Sequence, residues 1–175
     1  MKSFRGPFSI QLHLSTLAFA IKMEVDYSLY LVTDSTAAIL GNKDLVAVVE
    51  AALAGGVTVV QYRDKISDTA DLVSTARRLH AVTRKYSVPL LINDRVDVAL
   101  AVGCEGVHIG QDDLGTPQCA QMRPLLNFVD PQTARRLLGN SAIIGVTVSS
   151  IEEAKKACND GADYLGIGTV FATPT

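Results

Sequence analysis

The sequence is poor in cysteine: Cys104, Cys119 and Cys158 are its three, they are widely spaced, and no two form a C-x-x-C pair. That excludes a disulfide framework and a cysteine-built zinc site, and a reducing compartment is the simplest setting. There is no excess of positive charge either. A formal net charge of -2 over 175 residues leaves no basic footprint, which argues against nucleic acid as a partner. No uninterrupted apolar run reaches the length of a membrane-spanning helix, so no membrane partner is expected. Serine, histidine and aspartate do not fall in a triad order, and no cysteine sits in a reactive context, so nucleophilic catalysis has no support. What remains is the balance of a soluble globular protein, 48% hydrophobic and 19% charged, with length for one domain and a real core.

Residues 1–22 stand apart. Lys2 and Arg5 precede the stretch from Phe8 to Ile21, without an acidic residue. This resembles a targeting peptide, but Gln11 and His13 interrupt its apolar part. The reading preferred here is a start at Met23, with residues 1–22 outside the fold and the protein cytoplasmic; mitochondrial import by the leader is the alternative.

From Met23 onward the chain alternates. Short apolar segments at 29–33, 57–62, 89–92, 106–109, 142–146 and 164–168 read as strands. Between them lie helical patterns: Leu45, Val48, Val49 and Ala52; Leu72, Ala76 and Leu79; Val96, Ala99 and Leu100; then 131–138 behind Asp130 as N-cap. Ser150-Ile-Glu-Glu153 has the spacing of a capping box opening a fifth helix. Strands apolar on both faces, with no tight hairpin signal between them, predict a parallel sheet covered by helices. Polar and Gly-rich residues follow nearly every strand instead of collecting at one switch point. That favours an α/β TIM (β/α)8 barrel, truncated after strand six, over an open doubly wound sheet.

The chemistry collects at strand ends. Gln61, Arg63 and Lys65 are two apart, so an extended chain turns all three to one side, an arrangement suited to phosphate or pyrophosphate. The plain alternative is a solvated strand end. Asn93-Asp94 and Asp112-Asp113 close two apolar strands. Carboxylates from two strand ends beside a cationic pair fit a magnesium-pyrophosphate site. Asp94 also suits the N-cap of the third helix, and Asp112 reads as a loop residue. His108 faces away from Val107 and Ile109, and with no ligand partner it is a core or mouth histidine. Thr147, Ser149 and Ser150 offer hydroxyls after strand five, with Ser150 more simply a cap. Thr169, Thr173 and Thr175 offer them after strand six, where a phosphate site and a polar loop are nearly equal readings.

Taken in order, five motifs resemble those of the thiamine-phosphate synthase family: Tyr30-Leu-Val-Thr-Asp34, Gly56-Val-Thr-Val-Val-Gln-Tyr-Arg-Asp-Lys65, Leu91-Ile-Asn-Asp94, Gly106-Val-His-Ile-Gly-Gln-Asp-Asp113, and Gly166-Ile-Gly-Thr-Val-Phe-Ala-Thr-Pro-Thr175. The wording is most like the N-terminal half of the fungal bifunctional enzymes, whose second half is a hydroxyethylthiazole kinase. The resemblance implies a barrel that joins hydroxymethylpyrimidine diphosphate to a thiazole phosphate and releases pyrophosphate. Carried over by motif, Gln61, Arg63, Lys65, Asn93 and Thr147 contact the pyrimidine diphosphate, and Arg63, Lys65 and Thr147 act in catalysis. Asp94 and Asp113 hold Mg2+, and Thr173 and Thr175 contact the thiazole phosphate. The implied route is dissociative, and homo-oligomerisation is left open.

Two departures accompany it. Residues 115–129 intervene between the Gln-Asp-Asp loop and the helix at 131–138, either as a retained intron or as a long surface loop. The chain also ends at Thr175, without the family's following phosphate-binding lysine and without strands seven and eight. A six-stranded piece keeps two open edges, and it is expected to be weakly folded and poorly active. The competing functional readings are a catalytically impaired fragment and a thiazole tautomerase-like isomerase, which would not need the same pair of aspartates.

Overall fold

A computed structural model of the chain describes residues 24–110 and 129–168. Residues 1–22, most of residues 115–129, and Asp112, Asp113, Thr169, Thr173 and Thr175 lie outside the described residues.

Six strands form one parallel sheet: β1 (Tyr30–Val32), β2 (Val59–Tyr62), β3 (Leu90–Asn93), β4 (Gly106–Ile109), β5 (Ile143–Val148) and β6 (Tyr164–Ile167). They lie side by side in chain order, β1-β2-β3-β4-β5-β6. A doubly wound sheet reverses direction at a switch point, whereas uninterrupted sequential order is how a (β/α) barrel is wound. The sheet is also curled. β1 and β6 are not neighbours, and five strand spacings would hold them about 24 Å apart in a flat sheet. Yet the hydroxyls of Tyr30 and Tyr164 are 2.6 Å apart on the concave side. Six strands therefore make a half-barrel, with β1 and β6 each paired on one side only among the described residues.

The helices are α1 (Ala37–Leu40), α2 (Leu45–Ala54), α3 (Thr69–Lys85), α4 (Val96–Val102), α5 (Pro131–Leu138) and α6 (Ile151–Asn159). Their ends follow from local chemistry. The Asp68, Asp130 and Ser150 side chains accept from the backbone N–H groups of Asp71, Thr133 and Glu153, as N-caps do. Gly103 ends α4 at φ 71°, a left-handed value that glycine takes without a Cβ penalty. The capping box differs in one arm: Glu153 reaches back to the backbone N–H of Ser149, 2.7 Å, one residue before the N-cap.

Alternate residues of each strand serve two cores. Val60 and Tyr62, Leu90 and Ile92, Val107 and Ile109, and Ile144, Val146 and Val148 face outward and meet Leu53, Leu72, Ala76, Leu79 and Val98 of the helices. Inside the curl, Val59, Leu91 and Ile143 form a small apolar plug with Val25, Tyr30 and Tyr164 packed on it. Two helix faces are rotated from the sequence expectation. Val48 and Leu100 are exposed, while α2 buries Leu45, Val49 and Leu53, and α4 buries Val96, Val98 and Ala99. A helix on a curved sheet buries a narrower stripe than the full set of apolar positions.

Carboxylates at the base hold the strand starts. Glu105, just before β4, accepts from the N–H of Leu90 and pairs with His80 of α3. Asp163, just before β6, accepts from the N–H of Ile144 and pairs with Arg135 of α5 at 2.8 Å. Each clamp ties two adjacent strands to the helix that precedes the first of them.

Candidate active site at the strand ends

Gln61, Asn93, His108 and Thr147 come from four consecutive strands and share the inner face: Gln61, Asn93 and Thr147 sit an even number of residues from inward Val59, Leu91 and Ile143, and His108 alternates with outward Val107 and Ile109. The register sets them side by side: Asn93 pairs with His108, His108 with Gly145, and Thr147 with Gly166. Gln61 is 4% exposed and His108 8% exposed, so their polar atoms need protein partners.

They find them in one unbroken chain of hydrogen bonds. Thr147 Oγ1 lies 2.8 Å from His108 Nε2, and His108 Nδ1 lies 2.8 Å from the Tyr164 hydroxyl. Tyr164 meets Tyr30 at 2.6 Å, and Tyr30 donates to Gln61 Oε1 at 2.8 Å. Gln61 Nε2 donates to Asn93 Oδ1 at 2.5 Å, and Asn93 Nδ2 to Asp94 Oδ2 at 2.6 Å. Every strand contributes one side chain. Tyr164 is the hub: its ring also packs against Tyr27, centroids 4.8 Å apart. It fits only because Gly145 has no side chain, since a Cβ there would lie 2.0 Å from the Tyr164 ring.

Burial sets the protonation states along this chain. It pushes the Tyr30 phenol up to about 12 and the Tyr164 phenol higher still, so both remain hydroxyls. Burial also lowers the His108 pKa, with the Asp94 charge opposing, so the imidazole is neutral at ordinary pH.

Asp94 is not the N-cap of α4. That position belongs to Arg95, whose side chain makes no cap bond. Asp94 instead takes a left-handed backbone, φ 60°, and its Oδ1 accepts from the N–H of Gly110 at 2.8 Å. A carboxylate held this way at the ends of β3 and β4 keeps lone pairs for a cation, and the donors around it are hard oxygens and amides, the kind magnesium takes. Among the described residues no three carboxylate, histidine or cysteine side chains converge as a metal cluster. The sequence paired Asp94 with Asp113, which lies outside the described residues.

The two-residue period read through Gln61, Arg63 and Lys65 stops with the strand. β2 ends at Tyr62, and Lys65 lies in an exposed bend beyond it, so the two-residue period does not carry to Lys65. Asp64 makes that bend: its Oδ1 accepts from the backbone N–H groups of Ile66 and Ser67, and its Oδ2 from the Ser67 hydroxyl. Arg63 is half-buried at the strand end, where buried Thr33 accepts from its N–H at 3.0 Å. Tyr30 and Tyr164 received no role from the sequence. The signal was there: each lies in phase with the inward positions of its strand.

A curled parallel sheet with polar side chains from all six strands on its concave face, several of them at the C-terminal ends, is the frame in which barrel enzymes bind their ligands. The sequence model of the thiamine monophosphate synthase family matches residues 29–175, and the chain belongs to that family. It is 49% identical over 155 residues to a probable thiamine biosynthetic bifunctional enzyme of Schizosaccharomyces pombe, covering 89% of this chain and 27% of that protein. It is 43% identical over 155 residues to a thiamine-phosphate synthase of Ruminiclostridium cellulolyticum, covering 89% of this chain and 66% of that one. The fold matches a solved thiamine phosphate pyrophosphorylase from Pyrococcus furiosus with a TM-score of 0.65 and 37% identity, over 83% of this chain and 61% of that one. The chain thus spans less than two thirds of the length of each of these relatives.

Proposed function

We propose that this chain carries the pyrimidine-diphosphate side of a thiamine-phosphate synthase site. The observation that carries the reading is the convergence of Gln61, Asn93 and Asp94 at the ends of β2 and β3, linked at 2.5 and 2.6 Å. In the reaction the C–O bond between the pyrimidine methylene and the diphosphate breaks, and its electron pair leaves with pyrophosphate. The thiazole nitrogen lone pair then forms the new C–N bond, giving thiamine phosphate. Arg63 and Lys65 stabilise charge growing on the leaving pyrophosphate. Gln61 and Asn93 position the pyrimidine, and Thr147 stands on the inner face beside it. Asp94 and Asp113 would hold Mg2+, which when bound neutralises phosphate charge. Thr173 and Thr175 would receive the thiazole phosphate.

Calorimetry on the whole chain tests this reading. Hydroxymethylpyrimidine diphosphate should bind only when magnesium is present, and Arg63→Ala should weaken that binding about 10- to 100-fold, as loss of a hydrogen bond to a charged group does. Binding that ignores magnesium and Arg63 favours the tautomerase-like reading. No binding at all means an impaired fragment.

A further inference from the structure

The hydrogen-bond chain across the concave face has a polarity, and Asp94 sets it. An ionised carboxylate only accepts, so Asn93 must turn Nδ2 toward Asp94 Oδ2. Its Oδ1 then faces Gln61, which must donate from Nε2 and present Oε1 to Tyr30. Tyr30 spends its single proton on Gln61. At the 2.6 Å contact with Tyr164 the proton therefore comes from Tyr164, and Tyr164 can only accept from His108 Nδ1–H. The neutral ring then has a bare Nε2, which takes the proton of the Thr147 hydroxyl. Between Gln61 and Thr147, where the links are part-buried, any reversed link would leave two acceptors in contact with no proton between them, a costly state.

We propose that Tyr164 and His108 are positioning residues: they hold the Thr147 hydroxyl so that it offers only lone pairs to the ligand. Thr147 is the only residue of β5 that is not buried, and Gly166 beside it carries no side chain, so those lone pairs are accessible at the strand end. An acceptor-only hydroxyl repels a phosphate oxygen. Its partner is an N–H donor or a centre of growing positive charge on the bound pyrimidine. This last step rests on the function proposed above; the polarity of the chain does not.

The first test therefore needs no ligand. Long-range proton–nitrogen correlation on the 15N-histidine-labelled full chain reads the tautomer of His108, assigned by its loss in His108→Asn. The wild type should show the Nδ1–H form. In Asp94→Asn the left-handed backbone is retained, since asparagine tolerates it. The new Oδ1 stays on the N–H of Gly110, which turns Nδ2 toward Asn93 and reverses every link. His108 should then switch to the Nε2–H form, and Tyr30→Phe should make its tautomer independent of residue 94. An Nε2–H ring in the wild type, or a tautomer indifferent to Asp94→Asn, overturns the proposal. The second test uses inorganic pyrophosphate with magnesium. Thr147→Val should leave its affinity within about twofold while turnover falls, whereas a tenfold loss of affinity, about 1.4 kcal/mol, would show that Thr147 donates to phosphate and sink the proposal. If neither pyrophosphate nor pyrimidine diphosphate binds, the proposed function fails, and the tautomer alone decides the polarity.

Discussion

Ile144 and Gly145 are neighbours on β5 and face opposite ways, and they represent the two sides of the sheet. Ile144 is fully buried in the outer core between strands and helices. Gly145 faces the curl, where its missing side chain is filled by the Tyr164 ring. Outside, stability comes from apolar volume, and removing atoms does the damage. Inside, the same strand works by leaving space for a polar side chain, and adding atoms does the damage. One segment thus obeys opposite rules at adjacent residues, because the outer face excludes water with apolar volume while the inner face makes room for a hydrogen-bonded side chain.

The contrast can be tested from its strongest consequence downward. Ile144→Ala should cost about 3–4 kcal/mol by urea denaturation, through lost transfer energy and the cavity left behind. Gly145→Ala should cost about 2 kcal/mol, from overpacking against Tyr164, although it adds apolar surface. It should also perturb the His108 imidazole signals, which Ile144→Ala leaves in place; equal effects of both substitutions on His108 would break the distinction between the faces. Cys104 gives the smallest effect. Burial raises its thiol pKa to about 12, so at pH 8 the thiolate is scarce. A thiol reagent followed by peptide mass spectrometry should label exposed Cys158 well before Cys104 in the folded chain, and equally in urea.

Much of the frame was legible in the sequence. The helix bounded by Asp130 and Leu138, the Ser150 cap and the glycine stop at 103 follow from side chains that satisfy the nearest backbone groups, which is local chemistry. The inward phase of Gln61 and His108 follows from the two-residue period of a strand. The failures have physical reasons as well. The period was extended to Lys65, but Asp64 captures the next two backbone N–H groups and bends the chain away. Asp94 was read as a possible helix cap, a local role, whereas its carboxylate is claimed by Gly110 across the strand boundary. Val48 and Leu100 fit a helical stripe but lie outside the part of it that the curved sheet covers.

By itself, the sequence determined the six strands, their parallel order, which residues face inward, and the family. These depend on periodicity and on contacts a few residues apart. The tertiary structure decided which inward groups touch. Tyr30 and Tyr164 are separated by 134 residues and meet only because the sheet curls, and their meeting joins residues of separate strands into one hydrogen-bond chain ending on Asp94. A one-dimensional pattern gives the parity of a side chain, but not the curvature that closes the distance, since curvature is a property of all six strands together.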